Sequence, residues 1–196
     1  MTHAERAIPS EASRLGPMLA RAFDDDPMFR WILPSDVDRP RALATLFGGL
    51  ARHVFLPIGA SVRLPDHAGA ALWLPPGVST TRFFSSIAVA PSIGIALGTR
   101  LLTALPLFTE MERAHAKEPH YYLGVLGVDP PSQGKGLSKL LLEPTLARAD
   151  AEKKPAYLET AKESNLTYYR RFGFEVTREV RVKDAPPLWC MQRAPR

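Results

Sequence analysis

The sequence predicts an α/β fold, and three neighbouring segments in its C-terminal half carry that prediction. The apolar run Tyr121–Val128 has the length and composition of a buried strand. A loop rich in Pro, Ser and Gly follows it, and a Leu-rich segment with helical periodicity begins at Leu137. The short apolar segment Ala156–Thr160 is then a further strand. This alternation of strands and helix is typical of a sheet flanked by helices.

The N-terminal part predicts one short strand and two helical regions. Residues 6 to 8 are the candidate strand, and a helix is predicted after it from the spacing of Leu15, Met18, Leu19, Ala22 and Phe23. Pro27 ends this helix because proline disfavours helical geometry in the residue before it. The second helical region covers residues 28 to 33 and 41 to 55, with an apolar face formed by Leu43, Leu46, Leu50 and Val54.

The middle and the end of the chain complete the predicted order of elements. Residues 60 to 64 and 69 to 74 predict an antiparallel hairpin. Residues 80 to 111 are apolar and helical in character, and two prolines divide them into two predicted helices. Pro144 predicts a bend near Leu140 in the helix that follows Leu137. The C-terminal strand alternates, which places on one buried side Phe174, Val176, Val180 and Val182.

Length and composition predict a single domain over residues 1 to 196, since 45% hydrophobic content suits one globular core. No apolar run approaches the ~20 residues of a membrane span, so no membrane partner is expected. The N-terminus lacks the features of a secretory signal and there is one cysteine, which favours a reducing cytoplasm. The net charge is +5, but no basic stripe with interleaved aromatics indicates nucleic-acid binding. His and Cys show no metal-ligand spacing, and a monomer or homodimer is expected.

The loop before the Leu-rich helix predicts an anion site. Its backbone N–H groups, from Gln133 to Ser138, stand at a helix N-terminus, where unpaired donors and the helix dipole both favour negative charge. Gly134 and Gly136 let the main chain come close to a phosphate. The glycine spacing matches neither a Walker A loop nor the dinucleotide fingerprint. The alternative for the loop alone is an ordinary glycine-rich turn that caps a helix.

The loop resembles the acyl-CoA pyrophosphate loop of the GNAT acetyltransferase superfamily, in which Gln or Arg is followed by two residues, Gly, one residue, and Gly or Ala. Here these positions hold Gln133, Gly136 and Ser138, so that serine replaces the usual small residue. The resemblance extends over residues 117 to 191 and is closest to the antibiotic-modifying branch typified by puromycin N-acetyltransferase. The closer match rests on Lys117, Glu118, Pro119, Leu126, Gly127, Val128, Gln133, Gly134, Lys135, Gly136, Leu137, Leu158, Glu159, Thr160, Asn165, Leu166, Tyr169, Gly173, Phe174, Trp189, Cys190 and Met191.

The resemblance implies a GNAT fold, with a mixed central sheet of about six to seven strands splayed between the fourth and the fifth and flanked by helices. It also implies acetyl-CoA as co-substrate, without a metal. The pantetheine arm would pair with the strand edge at Leu126, Gly127 and Val128, and the helices of the N-terminal half would border the acceptor pocket. The pyrophosphate would lie on Gln133, Gly134, Lys135, Gly136, Leu137 and Ser138. Asn165 would contact the pantetheine, although its sequence context equally suits a helix N-cap.

The implied reaction is attack of a small-molecule amine on the acetyl thioester, with an antibiotic or other natural product as the possible acceptor. Tyr169 is the candidate acid for the leaving thiolate, and the alternative for this residue is an aromatic packed under the last helix. Glu159 is the candidate base, and its alternative is a salt bridge. Side chains that could hold a cationic acceptor, or simply be polar surface, are Asp25, Asp26, Glu110, Glu112 and His115. Two other functions stay open: acetylation of protein or peptide N-termini, and non-catalytic sensing of acyl-CoA.

Overall fold

The structure is a computed structural model that describes residues 3 to 78 and 88 to 196. Residues 79 to 87, which include the start of the first of the two helices predicted over residues 80 to 111, lie outside the described part. Within it, the strands and α-helices follow in the order β1 Glu5–Arg6, α1 Ala12–Ala22, α2 Pro27–Ile32, α3 Arg39–Leu50, β2 Val62–Arg63, β3 Gly69–Leu74, α4 Ala90–Leu97, α5 Arg100–Ala114, β4 Tyr121–Val128, α6 Leu137–Ala151, β5 Ala156–Thr160, α7 Ser164–Arg170, β6 Glu175–Val180 and β7 Leu188–Arg193.

The seven strands form one sheet in the order β1-β2-β3-β4-β5-β7-β6. Neighbouring strands run antiparallel, with the exception of the parallel pair β4 and β5. The parallel ladder joins three residues of each strand and ends at Leu123 and Leu158. Because β4 continues to Val128, its last five residues have no partner in β5. This arrangement confirms the predicted fold class, a mixed sheet splayed between its fourth and fifth strands.

A bulge in β4 lies where this ladder ends. Leu123 pairs with Trp73 and Val125 pairs with Leu72, so Gly124 between them has no partner in β3. A bulge bends its strand and increases the local twist. A Cβ atom on Gly124 would lie 2.4 Å from Cζ of Phe55. Glycine therefore allows the aromatic ring of Phe55 to pack directly against the bulged backbone.

The two faces of the sheet are covered by separate apolar clusters. Along β3, Ala70, Leu72 and Leu74 belong to one cluster, whereas Ala71 and Trp73 belong to the other. The first cluster lies under α1 and α3, and the second lies under α6 and α7. Side chains of a strand alternate between faces, so a strand buried on both faces needs an apolar residue at every position. This explains the continuous apolar composition of β3.

The predicted helices of the N-terminal half are confirmed. In α1, Leu15, Met18 and Leu19 are buried, and Pro27 begins α2 after the break. The predicted apolar face of the second region is buried, and the chain continues from α3 into a π-helical turn, Ala51–Phe55. Farther along, α5 runs through Pro106 and α6 runs through Pro144 without a break in either helix.

The predicted side-chain pattern of the C-terminal strand is wrong. Phe174 packs in the cluster under α7, whereas Val180 and Val182 pack on the opposite face, and Val176 is 37% exposed. The ladder between β6 and β7 shifts register between Val176 and Arg178. One extra residue in a strand reverses the face of every side chain after it. In addition, β6 is the edge strand of the sheet, so most of its side chains meet solvent.

Helices α1 and α3 approach each other through glycine, and this contact makes a testable prediction. A Cβ atom on Gly16 would lie 2.6 Å from the carbonyl O of Ala44 and 3.0 Å from Cα of Gly48. Both neighbours are backbone atoms, so Gly16→Ala should lower the free energy of unfolding by about 1–3 kcal/mol through overpacking. Urea denaturation would measure this change.

Gly94 provides the matched control for that experiment. It lies inside α4, and no atom lies within 4 Å of the position that its Cβ would take. Gly94→Ala should therefore raise stability by up to about 1 kcal/mol, as expected for this exchange in a helix interior. Equal effects of the two substitutions would show that the α1–α3 contact is looser than described.

Candidate active site

A cavity of about 400 Å³ opens where β4 and β5 separate. Its wall includes the unpaired end of β4, from Gly124 to Val128, and Glu159 and Thr160 at the end of β5. Helices α1 to α5 supply most of the remaining wall. The separation of two strands leaves backbone N–H and C=O groups of β4 without a ladder partner, and such groups need hydrogen bonds.

The free edge of β4 suits an extended ligand that carries amides. Leu126, Gly127 and Val128 all line the cavity beyond the end of the parallel ladder. An amide-bearing arm can pair with such an edge as an added strand does. Helix α1 packs directly against this part of β4, since a Cβ on Gly127 would lie 2.7 Å from Cδ2 of Leu19.

The loop after β4 has the backbone that its glycines predict. Gly134 and Gly136 have φ values of 75° and 72°, in the left-handed region that favours glycine. No atom lies within 4 Å of the position that a Cβ would take at either residue, so here the backbone angle, and not a protein contact, demands glycine. Two side-chain hydrogen bonds shape the loop, from Gln133 Nε2 to the Val128 carbonyl (2.9 Å) and from Lys135 Nζ to the Pro131 carbonyl (3.1 Å).

Helix α6 begins directly after this loop, at Leu137, and no side chain caps its N-terminus. Its first-turn N–H groups, including those of Leu137 and Ser138, lack acceptors within the helix. Together with the helix dipole, these donors fit a pyrophosphate. Gln133 and Ser138 also line the cavity, so the anion site and the strand edge belong to one continuous surface.

Ser138 is held by an aromatic side chain that the sequence did not assign to the site. The hydroxyl of Tyr168 donates to Oγ of Ser138 over 2.7 Å. Both residues line the cavity. Tyr168 thereby links α7 to the loop that precedes α6. The Ser138 hydroxyl keeps its own proton for a ligand because it acts as the acceptor in this bond.

Asn165 lies in the first turn of α7 and lines the cavity. Its Nδ2 donates to Oγ1 of Thr160 over 3.1 Å. The helix begins at Ser164, and Glu163 occupies the N-cap position without a side-chain cap, so Asn165 is not an N-cap. The amide oxygen of Asn165 remains available at the cavity wall.

Tyr169 is 7% exposed and also lines the cavity. Its ring packs against Tyr168 and Phe174, which fixes its orientation. Among the described residues, none forms a hydrogen bond with its hydroxyl. Burial, and to a smaller extent Tyr168, raises the pKa of Tyr169, so the hydroxyl keeps its proton at neutral pH.

Glu159 points into the cavity region with a side chain that is only 5% exposed. Its Oε1 lies 3.0 Å from Nδ1 of His115, a residue that was expected near a cationic acceptor. Burial together with the nearby Glu159 charge raises the pKa of Tyr122 and of Tyr157, whose rings contact His115. Both phenols therefore keep their protons at neutral pH.

The remaining acidic candidates occupy different positions. Asp25 lines the cavity, but its Oδ2 lies 2.5 Å from Nζ of Lys162. Asp26 accepts hydrogen bonds from the N–H groups at the start of α2, and burial raises the pKa of its carboxyl against their effect. Glu112 lines the cavity as well. Glu110 is not in the described cavity wall and pairs with Arg113 over 2.6 Å.

The part of the cavity away from the loop is apolar. Its wall is formed by aromatic and aliphatic side chains of the residue after α1 and of α2 to α5, which are Phe23, Met28, Phe29, Ile32, Leu46, Phe47, Leu50, Ile93, Leu97, Leu101, Phe108 and Met111. Three of these rings, from Phe23, Phe29 and Phe47, pack against one another with centroids 5.0 to 5.8 Å apart. No motif in the sequence indicated this wall.

Two further observations concern the described residues as a whole. In residues 3 to 78 and 88 to 196, no three side chains of His, Cys, Asp or Glu are grouped so that they could hold a metal ion. In the same residues, none of the helices has both the length and the apolar composition needed to cross a membrane.

Sequence reasoning missed Lys162, Tyr168 and His120 as neighbours of the site. Lys162 and Tyr168 lie close in sequence to the recognised motif residues Glu159, Asn165 and Tyr169. This proximity could have indicated that they belong to the site. His120 comes one residue before β4 and contacts His115 through the ring nitrogens. Its position directly before the central strand could have indicated that it lies near the site.

Comparison with known proteins agrees with this geometry. Residues 108–194 match the family described as the acetyltransferase (GNAT) domain. An uncharacterised N-acetyltransferase of Schizosaccharomyces pombe is 25% identical over 205 residues, which cover 98% of this chain and 83% of that protein. Among solved structures, a protein described as histone acetyltransferase HPA2 and related acetyltransferase, from Corynebacterium glutamicum, is 24% identical, with a TM-score of 0.72 and coverage of 100% and 97%.

Arylalkylamine N-acetyltransferase 2 from Aedes aegypti shares the fold at 16% identity, with a TM-score of 0.59 and coverage of 100% of this chain and 99% of that one. The fold, the family match and the relative indicate the same class of enzyme. The protein is thus an acyltransferase, and its residues 108–194 match the acetyltransferase (GNAT) domain.

Proposed function

We propose that the protein transfers the acetyl group of acetyl-CoA to the amine of a small, largely apolar molecule. The observation that carries this proposal is one cavity that joins a free strand edge and phosphate loop to an apolar chamber, with Glu159 and Tyr169 in its wall. In this proposal the residues that hold acetyl-CoA are Leu126, Gly127, Val128, Gln133, Gly134, Lys135, Gly136, Leu137, Ser138 and Asn165.

The proposed chemistry needs a base, an oxyanion donor and an acid. Glu159 removes the proton of the ammonium acceptor, and the neutral amine attacks the thioester carbonyl. A backbone N–H of the β4 edge near Leu126 stabilises the tetrahedral oxyanion as a preorganised donor. Tyr169 gives its proton to the leaving thiolate and regains one from the attacking nitrogen, which loses its second proton as the amide forms. Its buried hydroxyl, protonated at neutral pH and without another partner in the described structure, supports this role.

The cavity wall supports an apolar monoamine as acceptor. Twelve apolar side chains face the chamber, whereas Asp25 is paired with Lys162 and Asp26 binds the start of α2. Apolar side chains thus outnumber the four carboxylates of the wall, Asp25, Asp26, Glu112 and Glu159, of which Glu159 is the proposed base. Phenylalkylamines combine an apolar ring with one ammonium group, and amine-containing antibiotics such as puromycin also carry an aromatic ring and an amine. Burying an aromatic side chain of such an acceptor in this chamber contributes binding energy of about 25 cal/mol per Å² of apolar surface.

The central experiment is an acetylation assay with acetyl-CoA and a panel of amines, in which thiol release and product mass are measured. We expect kcat/KM for phenylalkylamines or puromycin to exceed that for agmatine and for peptide N-termini by at least about tenfold, because one or two buried methylene groups already contribute that much. Binding of CoA without turnover of any amine would instead indicate a sensor. Preference for peptides would support the other enzymatic alternative.

Tyr169→Phe tests the proposed acid. We expect kcat to fall by about 10²-fold, in the range of general acid catalysis, with little change in KM for acetyl-CoA. Tyr168→Phe is the contrasting variant, since it removes the hydrogen bond to Ser138 in the phosphate loop. For that variant we expect a higher KM for acetyl-CoA and a nearly unchanged kcat. Full turnover by Tyr169→Phe would exclude the hydroxyl from the reaction.

Gly136→Val tests the phosphate loop, because a β-branched residue at a φ of 72° is strained. We expect the loop to rearrange and the Kd for CoA, measured by calorimetry, to rise at least fivefold. The matched control is Gly77→Val, since Gly77 also has a left-handed φ of 84° and open space around its Cβ position, but is outside the described cavity wall. A similar loss of CoA affinity in both variants would mean that general destabilisation, and not the loop, is responsible.

A further inference from the structure

Glu159, His115 and His120 form a hydrogen-bonded chain of side chains that leads away from the cavity. His115 Nδ1 lies 3.0 Å from Oε1 of Glu159, and His120 Nε2 lies 3.0 Å from Nε2 of His115. His120 Nδ1 lies 2.6 Å from the carbonyl O of Glu118. Glu159 and His115 line the cavity, whereas Glu118 is exposed. The chain thus connects the cavity with the protein surface.

The hydrogen bond between His120 and the Glu118 carbonyl determines how many protons the three side chains bind together. The Glu118 carbonyl can only accept, so Nδ1 of His120 must carry a proton. The two Nε2 atoms of His115 and His120 can share only one proton between them, and one further proton lies between His115 and Glu159. All three hydrogen bonds are therefore satisfied only when Glu159, His115 and His120 together bind three protons.

Three distributions satisfy this count. Either Glu159 is protonated and both imidazoles are neutral, or Glu159 is ionised and the positive charge is on His115 or on His120. The distributions differ only by the movement of protons along existing hydrogen bonds. Each has a net charge of zero. When a proton binds to Glu159, shifts along these hydrogen bonds can therefore place a proton on His120 without movement of any side chain.

The surroundings favour transfer within this chain. The neighbouring titratable groups are Tyr122 on β4, Tyr157 on β5 and Cys190 on β7, and burial raises the pKa of each. They stay neutral near pH 7 and do not compete for the proton. Burial, reinforced by the charge of His115, lowers the pKa of His120 against the opposing effects of the Glu118 carbonyl and Glu159. A proton on His120 is thus released readily at neutral pH.

We propose that Glu159, His115 and His120 form a proton relay that carries the proton of the ammonium acceptor from the cavity to solvent. This inference rests on the proposed function, in which Glu159 is the base. Glu159 touches the acceptor, and the two histidines act through it. The sequence had placed His115 only as a possible contact for a cationic acceptor and had not assigned His120.

The relay balances the reaction. An ammonium ion and acetyl-CoA yield an amide, a thiol and one proton. Before each turnover Glu159 is ionised, His115 carries its proton on Nε2 and His120 carries its proton on Nδ1. The ammonium N–H bond breaks as Glu159 forms an O–H bond. Next the Glu159 O–H and the His115 Nε2–H bonds break while His115 Nδ1–H and His120 Nε2–H bonds form. The His120 Nε2–H bond then breaks as its proton passes to water, and the His115 proton returns from Nδ1 to Nε2 by exchange with water. The starting state is restored, and one proton has left the site in each turnover.

His120→Phe tests the relay by kinetics, because phenylalanine keeps a planar ring but cannot carry a proton. We expect kcat at pH 7 to fall roughly tenfold or more, within the range of proton-transfer contributions, while KM for acetyl-CoA stays unchanged. Added imidazole should restore part of kcat in a saturable manner, which a structural role would not produce. The matched control is His53→Gln, since His53 is exposed and outside the described cavity wall. Unchanged kcat and pH profile in His120→Phe would overturn the relay.

A second measurement does not depend on turnover. In NMR titrations of the histidine rings, Glu159→Gln should lower the apparent pKa of His120 because a negative charge is removed. An identical His120 titration in both proteins would overturn the relay. If wild-type protein acetylates no amine while this coupling is present, the proposed function fails and the hydrogen-bonded chain remains.

Discussion

The site depends on the separation of two parallel strands. β4 and β5 share a ladder of only three residue pairs, and β4, which continues beyond that ladder with β3 as its partner, bends at Gly124, where the ladder ends. Every buried backbone donor and acceptor beyond that point needs another partner. The cavity, the edge suited to an amide-bearing arm and the entry to the phosphate loop all follow from this single interruption. The bulge is therefore a structural requirement of the site and not an irregularity of the sheet.

The parts of the site that the sequence predicted are local in the chain. The strand Tyr121–Val128, the glycine loop and helix α6 follow one another directly, and each has a pattern that a short window reveals. The left-handed angles at Gly134 and Gly136 give a reason for glycine in addition to the close approach to an anion that the sequence predicted. The fold class was predictable for the same reason, with the family resemblance supplying the order of strands and their splay.

What the sequence could not predict arises from contacts between distant residues. His115 meets Glu159 across 44 residues, and nothing in either segment specifies their hydrogen bond. The apolar chamber is assembled from the residue after α1 and from four helices that no motif connects. The alternation predicted for β6 was wrong since a register shift beside Val176 depends on the pairing with β7, and an edge strand needs no buried face. For Asn165, local capping rules were outweighed by Thr160, which accepts its amide proton.

The contact between Phe55 and Gly124 links the two halves of the molecule. Phe55 ends the π-helical turn that continues from α3, a helix whose side chains Leu46, Phe47 and Leu50 form part of the chamber wall. Its ring lies against the backbone at which β4 bends. A shift of this helix would thereby move the part of β4 at which the cavity opens. Under the proposed function, the Phe55 ring couples the shape of the acceptor chamber to the alignment of the strand edge that holds acetyl-CoA.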